Sequence, residues 1–199
     1  MDNVIEYFFS LNSPWSYMGS ARLAAIAARH GAQIAVRPVK LGTVFSETGG
    51  VPLAKRSPER QAYRFVELQR WSRYLNLPIV LEPKHFPVNE SAAAHLVIAA
   101  ELAGFNALAL AGAIGGALWN RDQDIADWRV IDDTALELGI GAEDLRQRFS
   151  VAEISDIYDA NTRAALAKGV FGAPTYVLNG ELFWGQDRLE FLDRKLVRP

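Results

Sequence analysis

The chain has 199 residues, half of them hydrophobic, with 21 lysines and arginines against 23 aspartates and glutamates and no cysteine. That length and apolar content suffice for one or two compact units, and the near-balanced charge supplies no net basic field to gather nucleic acid. Without cysteine, structural disulfides, cysteine-ligated zinc and dithiol exchange by the protein itself are excluded.

The opening residues Met1-Asp2-Asn3-Val4-Ile5-Glu6 set no basic region before an apolar one, so no secretory signal is expected and a cytoplasmic protein is the default. Val4 to Leu11 reads as a strand. Ser13 to His30 reads as a helix, with Ser13 as N-cap, Pro14 at the first helical position and Gly31 as the stop. His30 at its end suits the helix dipole. Gln33 to Val39 reads as a second strand, giving a βαβ unit with a right-handed crossover. Lys40 to Pro58, dense in glycine, proline and charge, reads as a loop of a length that is usually functional or mobile.

From Pro58 the periodicity is helical for about a hundred residues. Phe65, Leu68, Trp71 and Leu75 fall at three- and four-residue spacing, and Asn76-Leu77-Pro78 closes that helix. Further helices are expected at Asn89 to Leu102, Asn106 to Asn120, Trp128 to Leu138, Ala142 to Phe149 and Val151 to Lys168. The longest apolar run, Ala107 to Trp119, is too short and glycine-rich to span a bilayer, so no membrane partner is expected. His30, His85 and His95 lie too far apart in sequence to suggest a metal box. Thr175 to Leu178 and Glu181 to Trp184 read as strands joined by Asn179-Gly180, the type I′ hairpin signal. Asp187 to Leu196 reads as a closing helix. The order βαβ, helices, then αββα predicts an α/β fold: a thioredoxin-like domain of residues 1–45 and 160–199, interrupted by an all-helical insertion domain of residues 46–159.

Four motifs then occur in order: Ser13-Pro14-Trp15-Ser16-Tyr17, Val66-Glu67-Leu68-Gln69-Arg70-Trp71, Phe171-Gly172-Ala173-Pro174-Thr175 and Trp184-Gly185-Gln186-Asp187-Arg188. On these motifs the chain resembles the 2-hydroxychromene-2-carboxylate isomerases and the related kappa-class glutathione transferases over nearly its whole length. The resemblance implies a glutathione-dependent enzyme, homodimeric, with a small-molecule aromatic substrate and no metal.

Ser13 matches the family's catalytic serine, whose hydroxyl donates to a thiolate at a helix mouth; read alone it is an ordinary N-cap. The turn Ser13-Pro14-Trp15 is expected to hold the thiol. The resemblance implies a cis Pro174, with Ala173 offering its N–H and C=O to glutathione like an added strand, where the residues alone allow a trans proline at an edge. Trp184 and Gly185 form the approach to Gln186 and Asp187, which match the position that binds the γ-glutamyl end. Asp187 taken alone is equally an N-cap. Lys55, Arg56 and Arg60 are expected to meet carboxylates or to form a solvated face. Kappa-class relatives carry an asparagine near Gly50, so one polar contact is expected to be missing. Phe86 is expected in an aromatic pocket or the core, and Asn89 at a polar contact or a helix cap.

In the implied reaction a glutathione thiolate adds reversibly to 2-hydroxychromene-2-carboxylate, or a related bicyclic aromatic catabolite, and is expelled after bond rotation to leave trans-o-hydroxybenzylidenepyruvate. The alternatives are a kappa-like transferase or peroxidase, or a noncatalytic thiol-binding domain.

Overall fold

The computed structural model describes residues 3–197. The outermost residues of the expected thioredoxin-like segments (1, 2, 198 and 199) lie outside it, and so does part of the N-terminal stretch from which no secretory signal is expected. The chain opens with β1 (Val4–Phe9), α1 (Pro14–His30), β2 (Gln33–Pro38), α2 (Leu41–Thr48) and α3 (Pro58–Leu75). It continues through α4 (Ser91–Leu102), α5 (Ala107–Trp119), α6 (Trp128–Leu136), α7 (Ala142–Arg148) and α8 (Val151–Ala167). It closes with β3 (Thr175–Leu178), β4 (Glu181–Trp184) and α9 (Leu189–Val197).

The strands form one sheet in the order β2-β1-β3-β4. β1 runs parallel to β2, with Ile5 opposite Ile34, and antiparallel to β3, with Tyr7 opposite Tyr176. As the strand alternates, Ile5, Tyr7 and Phe9 enter the larger core and Phe8 enters the smaller one with Val39, Val44, Ala165 and Val177. Helices therefore cover both faces, which is why β1 is a nearly unbroken apolar run. The Asn179-Gly180 link has φ of 52° and 82°, both left-handed as a type I′ turn demands.

α1 begins where the sequence puts it. Ser13 has an extended backbone, its hydroxyl accepts from the Ser16 N–H, and Gly31 closes the helix with φ of 61°. At its end the His30 ring nitrogen lies 2.6 Å from the Asp193 carboxylate on α9. α5 packs against α1 through glycines: a Cβ on Gly115 would lie 3.3 Å from Tyr17 Cβ, and one on Gly112 would lie 3.4 Å from Ser20 Cβ. The larger core runs without a break from the sheet through α1 into α4 and α5. The expected domain limits at 45/46 and 159/160 fall inside α2 and α8. Among the described residues no helix is long and apolar enough to cross a membrane.

Two expectations need correction. Lys40 to Pro58 is not a loop throughout, since it holds α2 and a short 3-10 turn at Leu53–Lys55. Val44 is fully buried beside Leu41 in the smaller core, and that anchor outweighs the glycines around it. The closing helix starts at Leu189; Asp187 lies in a preceding 3-10 turn, Gln186–Arg188, because Gly185 enters with φ of 101°.

Candidate active site

The turn between β1 and α1 is tied to the segment ahead of α4. Asn12 uses its side chain like a strand partner: its Nδ2 donates to the Val88 carbonyl at 2.8 Å and its Oδ1 accepts from the Val88 N–H at 3.0 Å. The partly buried Glu90 carboxylate accepts from the Ser10 hydroxyl at 2.8 Å and from the Asn12 N–H at 2.9 Å. Burial raises the Glu90 carboxyl above the ordinary glutamate value, while the bonds from Ser10 and Asn12 pull it back. These ties fix where Ser13 stands.

Ser13 is 6 % exposed. Its hydroxyl donates to the Ala173 carbonyl at 3.3 Å and accepts from the Ser16 N–H at 3.2 Å. The Ala173–Pro174 bond is cis. Pro14 has no N–H, and among the described residues the Trp15 and Ala173 N–H groups make no hydrogen bond. Two amide donors thus remain beside the Ser13 hydroxyl for an anionic ligand at the positive end of α1. Burial pushes the Tyr7 phenol beneath this turn up to about 12 and keeps it neutral.

A cleft with two lobes opens over this turn. The first, about 420 Å³, is lined by Trp15, Ala173, Trp184, Gly185, Gln186 and Asp187, together with Tyr63, Glu67, Trp71 and Arg188. The second, about 620 Å³, shares Trp15, Tyr63, Glu67 and Trp184 with the first, so the lobes meet at a wall of aromatic rings. Gly50, Arg56, Arg60 and Arg64 line its far side. Gln186 is 2 % exposed and its side-chain carbonyl is held by Arg22. Asp187 forms an ion pair with Arg188 at 3.1 Å, which sets both signs of charge at the rim of the first lobe.

Ser13 and Pro14 stand behind the first wall, reaching it through Ala173 and Trp15. Lys55 is exposed on the 3-10 turn, outside the lining of both lobes. Phe86 also lies outside the lining, with its ring 4.9 Å from that of Trp119 against the larger core. Asn89 accepts from the Ser91 N–H at 3.0 Å, so it shapes the chain just before α4. Sequence reasoning gave no site role to Arg22, Tyr63 and Arg64, nor to Glu67 and Trp71, which it met as parts of a motif. Tyr63, Glu67 and Trp71 repeat every four residues and form the cleft face of α3, and the mid-helix Gly19 marks the face of α1 that carries Arg22. A Cβ on Gly19 would meet the Tyr176 hydroxyl at 2.6 Å and Gln186 Cβ at 3.1 Å.

The chain is 28 % identical over 200 residues to the 2-hydroxychromene-2-carboxylate isomerase of Pseudomonas putida, spanning 98 % of this chain and 95 % of that one. Glutathione S-transferase kappa 1 of Rattus norvegicus is 24 % identical, spanning 95 % of this chain and 88 % of its own. A solved structure of a 2-hydroxychromene-2-carboxylate isomerase superposes with a TM-score of 0.81 at 26 % identity, spanning 98 % of this chain and 95 % of that one. Residues 4–197 match the family described as DSBA-like thioredoxin domain. With the sheet order, the cis-proline turn and nearly every described residue inside that match, the chain belongs to the DSBA-like thioredoxin domain family.

Proposed function

We propose that the chain is a glutathione-dependent isomerase that converts 2-hydroxychromene-2-carboxylate, or a related bicyclic aromatic catabolite, to trans-o-hydroxybenzylidenepyruvate. The observation that carries this reading is the Ser13 hydroxyl, 3.3 Å from the Ala173 carbonyl, where the mouth of α1 meets the cis-proline turn under a two-lobed cleft. The bacterial relative's name supplies the reaction and the rat relative's name supplies the thiol.

The residues fit glutathione. The unpaired Trp15 and Ala173 N–H groups are donors for a sulfur anion and for a peptide carbonyl. Gln186, Asp187 and Arg188 match a zwitterionic amino-acid end, with Asp187 for the ammonium and Arg188 or Gln186 for the carboxylate. When bound, glutathione supplies the thiolate that adds reversibly to the conjugated substrate.

The protein's own work is to hold, orient and ionise. Ser13 turns its hydroxyl proton from Ala173 toward the sulfur, and the first-turn amides favour the anion. Such helix-end settings lower a thiol from about 8.5 to roughly 3.5–7.5. Phe45, Tyr63 and Trp184 offer apolar walls to an aromatic ring in the second lobe, and Arg56 and Arg60 offer cations to its acid group. The reading includes a cytoplasmic homodimer.

Ultraviolet monitoring of chromene-carboxylate isomerisation with and without glutathione tests the proposal. Turnover that strictly requires the thiol is expected; equal turnover without it refutes the reading. The kappa-class relative favours a second reading, a glutathione transferase or peroxidase at the same site. Product analysis separates them, since that reading leaves a conjugate or oxidised glutathione.

A further inference from the structure

Arg64, on the second turn of α3, lines the second lobe yet is only 9 % exposed. Its guanidinium lies 5.4 Å from the Phe86 ring centre and 5.5 Å from that of Trp119. Those rings attract the flat faces of a cation. They leave its in-plane N–H groups unanswered, and Nη2 is buried with no hydrogen-bond partner. Among the described residues no carboxylate forms an ion pair with Arg64. The lobe's own acids are engaged elsewhere: Glu67 pairs with Arg70, and Glu59 is held below the ordinary glutamate value by its own backbone N–H and by Ser57.

A buried charge with no partner is costly, and aromatic contact offsets only part of that cost. Burial, with Arg56 nearby, lowers the Arg64 guanidinium to about 10, so it remains a cation at neutral pH. Arg56, Arg60 and Arg64 outnumber Glu59 and Glu67 along the lobe. A planar fork of donors in such a field suits a carboxylate, bound through two parallel hydrogen bonds.

We propose that Arg64 makes the direct, forked contact to a carboxylate in the second lobe, with Arg56 and Arg60 adding to the field, and receives through its in-plane N–H groups the acid of an aromatic substrate or the glycyl carboxylate of glutathione. That the lobe holds such a ligand rests on the function proposed above.

The test pairs ligands that differ by one carboxylate. Wild type and Arg64→Gln are titrated by tryptophan fluorescence with 2-naphthoate against 2-naphthamide, and with glutathione against its C-terminal amide, γ-glutamylcysteinylglycinamide. Wild type is expected to prefer the acid of at least one pair by about tenfold, or about 1.4 kcal/mol, and Arg64→Gln to abolish that preference. Loss in the naphthyl pair assigns the site to the aromatic acid, and loss in the thiol pair assigns it to the glycyl end. Arg64→Lys, which keeps charge but not the fork, is expected to retain part of the preference.

Should Arg64→Gln fail to fold, the wild-type Arg64 Nε–H resonance, assigned by its loss in Arg64→Lys, serves instead. It is expected to shift with the acid of a pair and not with its neutral partner. Preferences that survive Arg64→Gln in both pairs, or a resonance unmoved by either acid, overturn the proposal. Wild type that neither binds glutathione nor isomerises refutes the function above, while the naphthyl pair still reads Arg64.

Discussion

Arg22 holds Gln186 by both of its oxygens: Nη1 donates to the backbone carbonyl at 3.1 Å and to the side-chain Oε1 at 2.6 Å. The same guanidinium lies 5.9 Å from the ring centre of Trp71. One side chain of α1 thus orients two walls of the first lobe. Arg22→Met leaves the buried Gln186 side-chain carbonyl unpaired, while the backbone carbonyl keeps the Leu189 N–H, a loss of about 1–3 kcal/mol. Calorimetry is expected to show glutathione binding at least about fivefold weaker, with Arg22→Lys recovering part of it. Unchanged affinity in Arg22→Met would remove Arg22 from the binding argument.

Ser13→Ala separates the cap from the chemistry. Loss of the N-cap is expected to cost about 1 kcal/mol of stability. Loss of a donor to an anionic sulfur is expected to lower turnover about tenfold to a hundredfold, the range of a hydrogen bond to a charged group. Stopped-flow turnover at saturating glutathione decides the matter, because a cap alone leaves it unchanged.

Gly185 is a geometric requirement of the first lobe. Its φ of 101° suits glycine, its N–H donates to the Pro174 carbonyl at 2.9 Å, and a Cβ there would collide with the Asp187 carboxylate. Gly185→Ala is expected to cost roughly 1–3 kcal/mol through backbone strain and to weaken glutathione binding by displacing Asp187. Thermal melts with and without glutathione read both effects. A ligand-induced rise in melting temperature equal to that of wild type would contradict the second.

Glu90 predicts a pH dependence. Burial places its native value above the ordinary glutamate value of about 4.3, so the folded chain holds this proton more tightly than the unfolded chain does. Its contribution to stability is full below about 4.3 and is lost as pH rises through the higher native value. Glu90→Gln is expected to flatten this decline in urea unfolding measured from about pH 4 to about pH 7. A carbon-13 titration with a Glu90 midpoint at or below the ordinary value would defeat the expectation.

Local signals carried most of the fold. Ser13-Pro14 and Gly31 bound α1, Asn179-Gly180 makes the hairpin, and Ala173, Gln186 and Asp187 meet at one lobe because the motifs that bear them flank the sheet. α2 was hidden because eight residues with two glycines in the adjoining stretch carry little periodicity until Val44 finds its tertiary contact. Arg22 and Arg64 were hidden for another reason. A single arginine on a helix reads as solvated, and only the packing of Gln186 against α1, or of Phe86 and Trp119 against α3, shows the side chain drawn inward.

The glycine seam between α5 and α1 has a consequence for how such proteins diversify. Because Gly112 and Gly115 let one helix rest directly on the other, a methyl at Gly115 would sit 3.3 Å from Tyr17 Cβ, in the first turn of α1, and press on the end that seats Ser13 against Ala173. The helical segment is thus a mechanical mount for the mouth of α1. Exchanging it between relatives would require resetting the seat of α1 as well.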